Sequence, residues 1–178
     1  MFDRAGGQSV IEAQRFALRP VRASDAGLMQ LYVADERVAR NTSRIPHPLP
    51  PGAVEAFLER ATAPDAAEDV WAMDGAGSGL GELLGVISLK RMDREQSEIG
   101  YWVAPAFWNT GIASEAVEAL VAANPHTART IFGSVFQDNP ASARVLTHAG
   151  FQYLGDAEAF SVARGAKVAT WTYLKRLG

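Results

Sequence analysis

The chain has 178 residues, 48% of them hydrophobic, a net charge of −3 and no cysteine. That is enough apolar material for one domain with a sizeable core. It excludes disulfides and thiol chemistry and gives no basic footprint for nucleic acid.

The three histidines, His47, His126 and His148, share no ligand spacing, so no metal site is expected. There is no apolar leader and no apolar run near the ~18 residues of a membrane span, which predicts a soluble, cytoplasmic protein. Residues 1–14, with Gly6-Gly7-Gln8-Ser9, carry no pattern and are expected to be disordered, leaving 15–178 as a single domain. Residues 15–22 alternate as a first strand, Phe16 and Leu18 inward. Ser24 and Asp25 then cap a helix presenting Leu28, Leu31 and Tyr32, with Val38 on its continuation. A proline-punctuated loop at 41–52 has His47 as a solvated residue, and 53–61 resumes as helix with Val54, Phe57 and Leu58 on one face. Strands at 70–73 and 84–91 flank the glycine-rich DGAGSGLGE. No lysine follows those glycines and no helix opens after them, so a hairpin loop fits better than a phosphate loop.

The most informative stretch is 98–116, EIGYWVAPAFWNTGIASEA. Its β-branched and aromatic start predicts a strand, which Pro105 ends because it has no N–H for a ladder. A helix follows from near Gly111, with Ala113, Ala116, Val117, Leu120 and Val121 on one face and Asn124-Pro125 as its stop. A strand running through a short turn into a helix leaves N–H groups without intrahelical partners, and these suit a phosphate-like anion. Gly111 lets that anion come close, and Ala113 and Ser114 keep the first turn small. A strand at 130–136 leads to a second short helix, with Asn139 as N-cap, Pro140 at its first position and Gly150 past its end. Residues 151–156 and 168–174 close the chain as an antiparallel pair. The order β-α-α-β-β-β-α-β-α-β-β is a mixed α/β layer architecture.

Trp108-x-x-Gly111-x-Ala113 resembles the Gln/Arg-x-x-Gly-x-Gly/Ala motif of the GNAT superfamily of acyl-CoA-dependent N-acetyltransferases. Asn139-x-x-Ser142, followed by Gly150-Phe151, resembles the second motif of its Rim-type branch of ribosomal-protein N-terminal acetyltransferases. The resemblance spans roughly 16–176. It implies the α/β (α+β) GNAT fold: a mostly antiparallel, mixed twisted sheet flanked by helices, with a cleft between the two central strands. It implies acetyl-CoA as cosubstrate, no metal, and direct attack of a primary amine on the thioester. The acceptor is expected to be a peptide or protein N-terminus, with a small amine (amino acid, polyamine or antibiotic) or a non-catalytic acyl-CoA-binding module as the alternatives. A monomer or homodimer fits equally.

By the same resemblance, the turn from Asn109 through Thr110, Gly111, Ile112 and Ala113 to Ser114 cradles the pyrophosphate, and Tyr101, Trp102 and Val103 line the pantetheine arm. Trp108 stands where Gln or Arg is usual, and Thr110 where a basic residue is common, so the expected cation is missing from the motif. Glu98 matches a catalytic glutamate of some relatives; a strand-end glutamate paired with an arginine or facing solvent explains it as well. Many relatives use a tyrosine as proton donor where this chain has Leu146. Ser142 is then the donor candidate, against the reading of a locally bonded first-turn serine. Asn139 either contacts the cofactor or only caps its helix.

Overall fold

The computed structural model describes residues 8–178. One sheet of eight strands runs through it in the order β1-β2-β3-β4-β5-β6-β8-β7. Its strands are β1 (Ile11–Glu12), β2 (Ala17–Pro20), β3 (Glu68–Gly75), β4 (Gly81–Met92), β5 (Gln96–Val103), β6 (Thr130–Phe136), β7 (Gln152–Ser161) and β8 (Ala166–Arg176). Every neighbouring pair is antiparallel except β5 and β6, which run parallel. Helices α1 (Ala26–Val33), α2 (Glu36–Ala39) and α3 (Ala53–Thr62) come before β3; α4 (Ile112–Ala123) joins β5 to β6 and α5 (Pro140–His148) joins β6 to β7.

The sheet has two apolar faces, because alternate residues of each strand point to opposite sides. On one face α4 and α5 bury Ile112, Val117, Leu120 and Leu146 against Trp71, Ile87, Ile99 and Ile131. On the other, α1 and α3 bury Met29, Val33, Val54 and Leu58 against Val70 and Val86. Fully burying a side chain such as Leu120 contributes about 1.5–3 kcal/mol, which fixes the seat of α4 and so the position of its N-terminus. None of the helices among the described residues is long and apolar enough to cross a membrane.

Several expectations change. Part of the segment expected to be disordered belongs to the sheet: β1 pairs Ile11 with Leu18, and the buried Gln8 donates through Nε2 to the Val70 carbonyl at 2.6 Å. Residues 1–7 lie outside the described residues. The first helix turns a different face inward. Met29 and Val33 are buried while Leu31 is 66% exposed and Leu28 is also at the surface. Asp25 stands at the N-cap of α1 but makes no capping bond to it: it is buried, takes two bonds from the Arg19 guanidinium and one from the Arg22 N–H. On α4, Ile112 rather than Ala113 joins the buried face. The glycine-rich stretch is the β3–β4 hairpin connection, as expected.

The feature that makes a site lies at the parallel pair. β5 and β6 are in register from Gln96 with Thr130 to Ile99 with Gly133, and there their pairing stops. β6 continues to Phe136 on β8, while β5 continues to Val103 on β4. The two central strands therefore splay apart beyond Ile99, leaving a cleft.

Candidate active site

The cleft is bounded by β5 and the α4 N-terminus on one side and by α5 on the other. The Ala104 N–H donates to the Leu84 carbonyl, so by alternation Tyr101 and Val103 turn their backbone groups away from β4 and toward the cleft. Gly111 precedes α4 with φ +80°, a left-handed conformation that side chains disfavour, and it brings the chain sharply from the turn into the helix. Trp108 holds that turn down. Its indole N–H donates to the Val103 carbonyl at 2.7 Å, and the Arg37 guanidinium sits 5.5 Å from its ring centroid. A tryptophan can thus stand in this motif position because it latches the turn to the strand end.

A cavity of about 720 Å³ occupies this end of the cleft. Tyr101, Trp102 and Val103 from β5, Trp108, Asn109 and Gly111 from the turn, and Ile112, Ala113 and Ser114 from α4 all line it. Asn139 and Ser142 line it from the α5 side. Thr110 does not; its hydroxyl donates back to the Phe107 carbonyl within the turn. The ionisable side chains on this wall are Arg37, Arg144 and His148, with Tyr101, and among the described residues no aspartate or glutamate lines it. Such a lining favours a polyanion, and the bare N–H groups at the start of α4 add to it.

A cation beside this turn comes from far away in the sequence. Arg15, just before β2, donates through Nε to Glu115 Oε1 at 2.8 Å, and its backbone N–H donates to Oε2 at 2.9 Å. A Cβ placed on Gly111 would stand 3.4 Å from the Arg15 Nη2, so the guanidinium hangs over the same turn. Sequence reading missed it because the two partners lie a hundred positions apart and no local pattern marks the pair.

A second cavity of about 550 Å³ opens on the α1–α3 face. Asn41, Thr42, Tyr101, Trp102, Asn139 and Ser142 line both, so the cavities meet there. Glu98 lines only the second, with Glu68, Arg44 and Arg60. Its carboxylate is exposed and forms no ion pair among the described residues, whereas Glu68 takes two bonds from Arg44 at 2.9 and 2.8 Å.

At the junction the Tyr101 hydroxyl lies 2.7 Å from Ser142 Oγ and donates to the Ser142 carbonyl at 3.1 Å. Burial pushes the Tyr101 phenol up to about 12, with the Ser142 bond opposing in part. The pair was missed as a pair: the resemblance marked Tyr101 only as a residue lining the pantetheine arm. Leu146 is core, 1% exposed, and its methyl would meet a Cβ on Gly133 at 2.9 Å, which is why β6 carries glycine there. Asn139 stands at the N-cap position of α5, but its side chain makes no capping bond, so the expected cap is absent. That amide is left facing both cavities.

Arg164, in the β7–β8 turn, ties the end of α2 to the connection between β6 and α5. It donates to the Arg40 carbonyl through Nε and Nη2 at 3.0 and 2.9 Å, bonds Asp138, and lies 4.9 Å from the Phe136 ring centroid. The bond from Arg164 holds the Asp138 carboxyl below its ordinary value.

Comparison with known proteins matches the Acetyltransferase (GNAT) domain to residues 15–152. The chain belongs to the GNAT acetyltransferase family. Among curated GNAT relatives, the uncharacterized N-acetyltransferase YoaA of Bacillus subtilis is 32% identical over 96 residues, covering 52% of this chain and 54% of that protein. The chain thus spans about half the length of the curated relative it matches. Solved GNAT structures share the fold at lower identity. RimL, the ribosomal L7/L12 alpha-N-protein acetyltransferase in complex with coenzyme A, superimposes with a TM-score of 0.81 at 17% identity, over 95% of this chain and 98% of its own. The spermidine N-acetyltransferase of Vibrio cholerae, in complex with CoA and spermine, gives 0.73 at 17% identity, over 90% and 95%.

Proposed function

We propose that this protein is an acetyl-CoA-dependent N-acetyltransferase whose acceptor is a primary amine, and that this amine is the α-amine of a peptide or protein N-terminus. One observation carries the reading: two cavities of different ionic character join at a hydroxyl pair. The first, with cations and helix N–H groups and no carboxylate, fits the phosphates of acetyl-CoA. The second, with Glu98 on its wall, fits an amine. The residues suit the cofactor in a further respect: the Tyr101 backbone groups and the Val103 N–H face the cleft for the amides of the pantetheine arm, the Val103 carbonyl being taken by Trp108.

Acetyl-CoA supplies an activated acyl carbon as a thioester. The amine nitrogen attacks that carbon, the C–S bond breaks, and the sulfur leaves with a proton. Tyr101 and Ser142, bonded to each other, stand at the junction and supply that proton as a relay of two neutral hydroxyls. Asn139 orients the arm. Glu98 lies three residues before Tyr101 and so turns to the opposite face of β5, into the second cavity, from which it takes the amine proton through water.

The α-amine is favoured by proton energetics. It has a pKa of about 7.7–8.0 against about 10.4 for lysine, so lysine demands roughly 3–4 kcal/mol more deprotonation near neutral pH. A lone carboxylate acting through water suits the easier amine, and the likeness to RimL supports it. The likeness to a spermidine acetyltransferase is why a small amine stands as the second reading. Matched peptides with a free N-terminus, or with a blocked N-terminus and one lysine, distinguish the acceptors by thiol release. The free N-terminus is expected to react at least tenfold faster; equal rates would reject the α-amine preference.

A further inference from the structure

The wall of the second cavity says more about the acceptor than its charge does. From the helices come Met29 and Val33 of α1 and Val54 and Phe57 of α3. The sheet contributes Val70 and Val86, and the connecting loop Ile45 and Leu49. These residues belong to, or pack on, the second apolar core, so the cavity is a gap in that core reached from the junction. Its volume of about 550 Å³ lies within the ~300–1,000 Å³ of small-ligand sites. The carboxylates on its wall are Glu68, already bonded by Arg44, and Glu98.

The geometry points to an acceptor that carries a bulky apolar group beside its amine: a peptide whose first residue is leucine- or phenylalanine-like, or an aralkyl amine of the same shape. This rests on the acetyl-transfer reading above. With the nitrogen at the Tyr101–Ser142 junction, the neighbouring group enters the space between α1, α3 and the sheet. A large apolar group displaces water there from apolar walls. A polyamine would bring a second ammonium into the same space, where no free carboxylate beyond Glu98 meets it, and burying an unpaired charge is strongly unfavourable. A first residue of alanine or serine leaves most of the wall wet.

The test is a panel assayed with the full chain and acetyl-CoA. Peptides identical except for a first residue of Leu, Phe, Ala or Ser are compared with phenethylamine and spermidine. The Leu and Phe peptides should show kcat/KM higher than Ala and Ser by about 10–100-fold, the discrimination a hydrophobic pocket gives. Phenethylamine should be used in preference to spermidine. Ala53→Trp, at the first turn of α3 and on the cavity wall, should shrink the peptide difference to about threefold or less with acetyl-CoA affinity unchanged. Peptides acetylated regardless of first residue would leave the N-terminal reading standing and overturn this inference, as would preference for spermidine. Phenethylamine acetylated while no peptide reacts would keep the apolar inference and overturn the peptide reading. Transfer to no amine at all would overturn both.

Discussion

In the proposed mechanism Ser142 and Tyr101 divide one task between two hydroxyls. Tyr101 has one hydroxyl hydrogen: while it points at the Ser142 carbonyl the serine donates to the phenol, and when it turns to Ser142 Oγ the serine hydrogen is freed to move outward. Burial disfavours the phenolate and raises the group to about 12 from an ordinary value of about 10. The neutral form is thus favoured in the folded protein, and that preference is intact below about pH 10 and lost as pH rises toward 12. Tyr101 is a neutral donor throughout the working range. Ser142→Ala is expected to lower kcat by roughly 10–10³-fold with little change in acetyl-CoA affinity. Tyr101→Phe should also lower kcat and leave the shape of the pH–rate profile between about pH 6 and 9 unchanged. A fall in cofactor affinity alone would make Ser142 a binding residue. A profile reshaped within that window would show that Tyr101 titrates there, against its burial.

At the scale of elements, the anion end is assembled by α4, the turn before it and the start of β2. Arg15 is fastened to Glu115 on the first turn of α4 while its Nη2 overhangs Gly111. An ion pair with one partner 43% exposed adds little to stability, so its value lies in where it holds the guanidinium. Arg15→Ala is expected to weaken acetyl-CoA binding about tenfold at low salt, because it removes a cation and exposes the Glu115 carboxylate to the phosphates. Adding Glu115→Gln should recover part of the loss. Calorimetry showing unchanged affinity in Arg15→Ala would mean the guanidinium only anchors the strand. The elements themselves were largely legible: proline, glycine and β-branched runs mark β5, α4, β6 and α5 close to their observed ends. What local pattern did not carry was the inward face of α1, where both candidate faces hold apolar residues and only packing against α3 decides for Met29 and Val33. The short β1 was equally hidden, since two residues gain strand geometry only from β2 beside them.

Across the whole molecule, the site exists because one parallel pair interrupts an otherwise antiparallel sheet. β5 and β6 part beyond Ile99, and the gap joins an anion-favouring end to a largely apolar chamber on the other face, with Glu98, Glu68, Arg44 and Arg60 on its wall. Local backbone needs marked the turn and Gly111 in the sequence, and the resemblance to the family's second motif marked Ser142. It could not name Arg15, Arg164 or the apolar chamber, which are brought together only by long-range packing of strands, helices and loops. In the proposed function acetyl-CoA lies in this cleft with its phosphates on the turn at Gly111. Isothermal titration of acetyl-CoA into the wild-type chain and into Gly111→Glu tests it most directly, with thermal unfolding to check that the variant is folded. Position 111 has φ +80°, so some loss of stability is expected, but a carboxylate there also repels the phosphates and fills their approach. Binding is expected for the wild-type chain and none detectable for the folded variant. Equal affinity in both would contradict it.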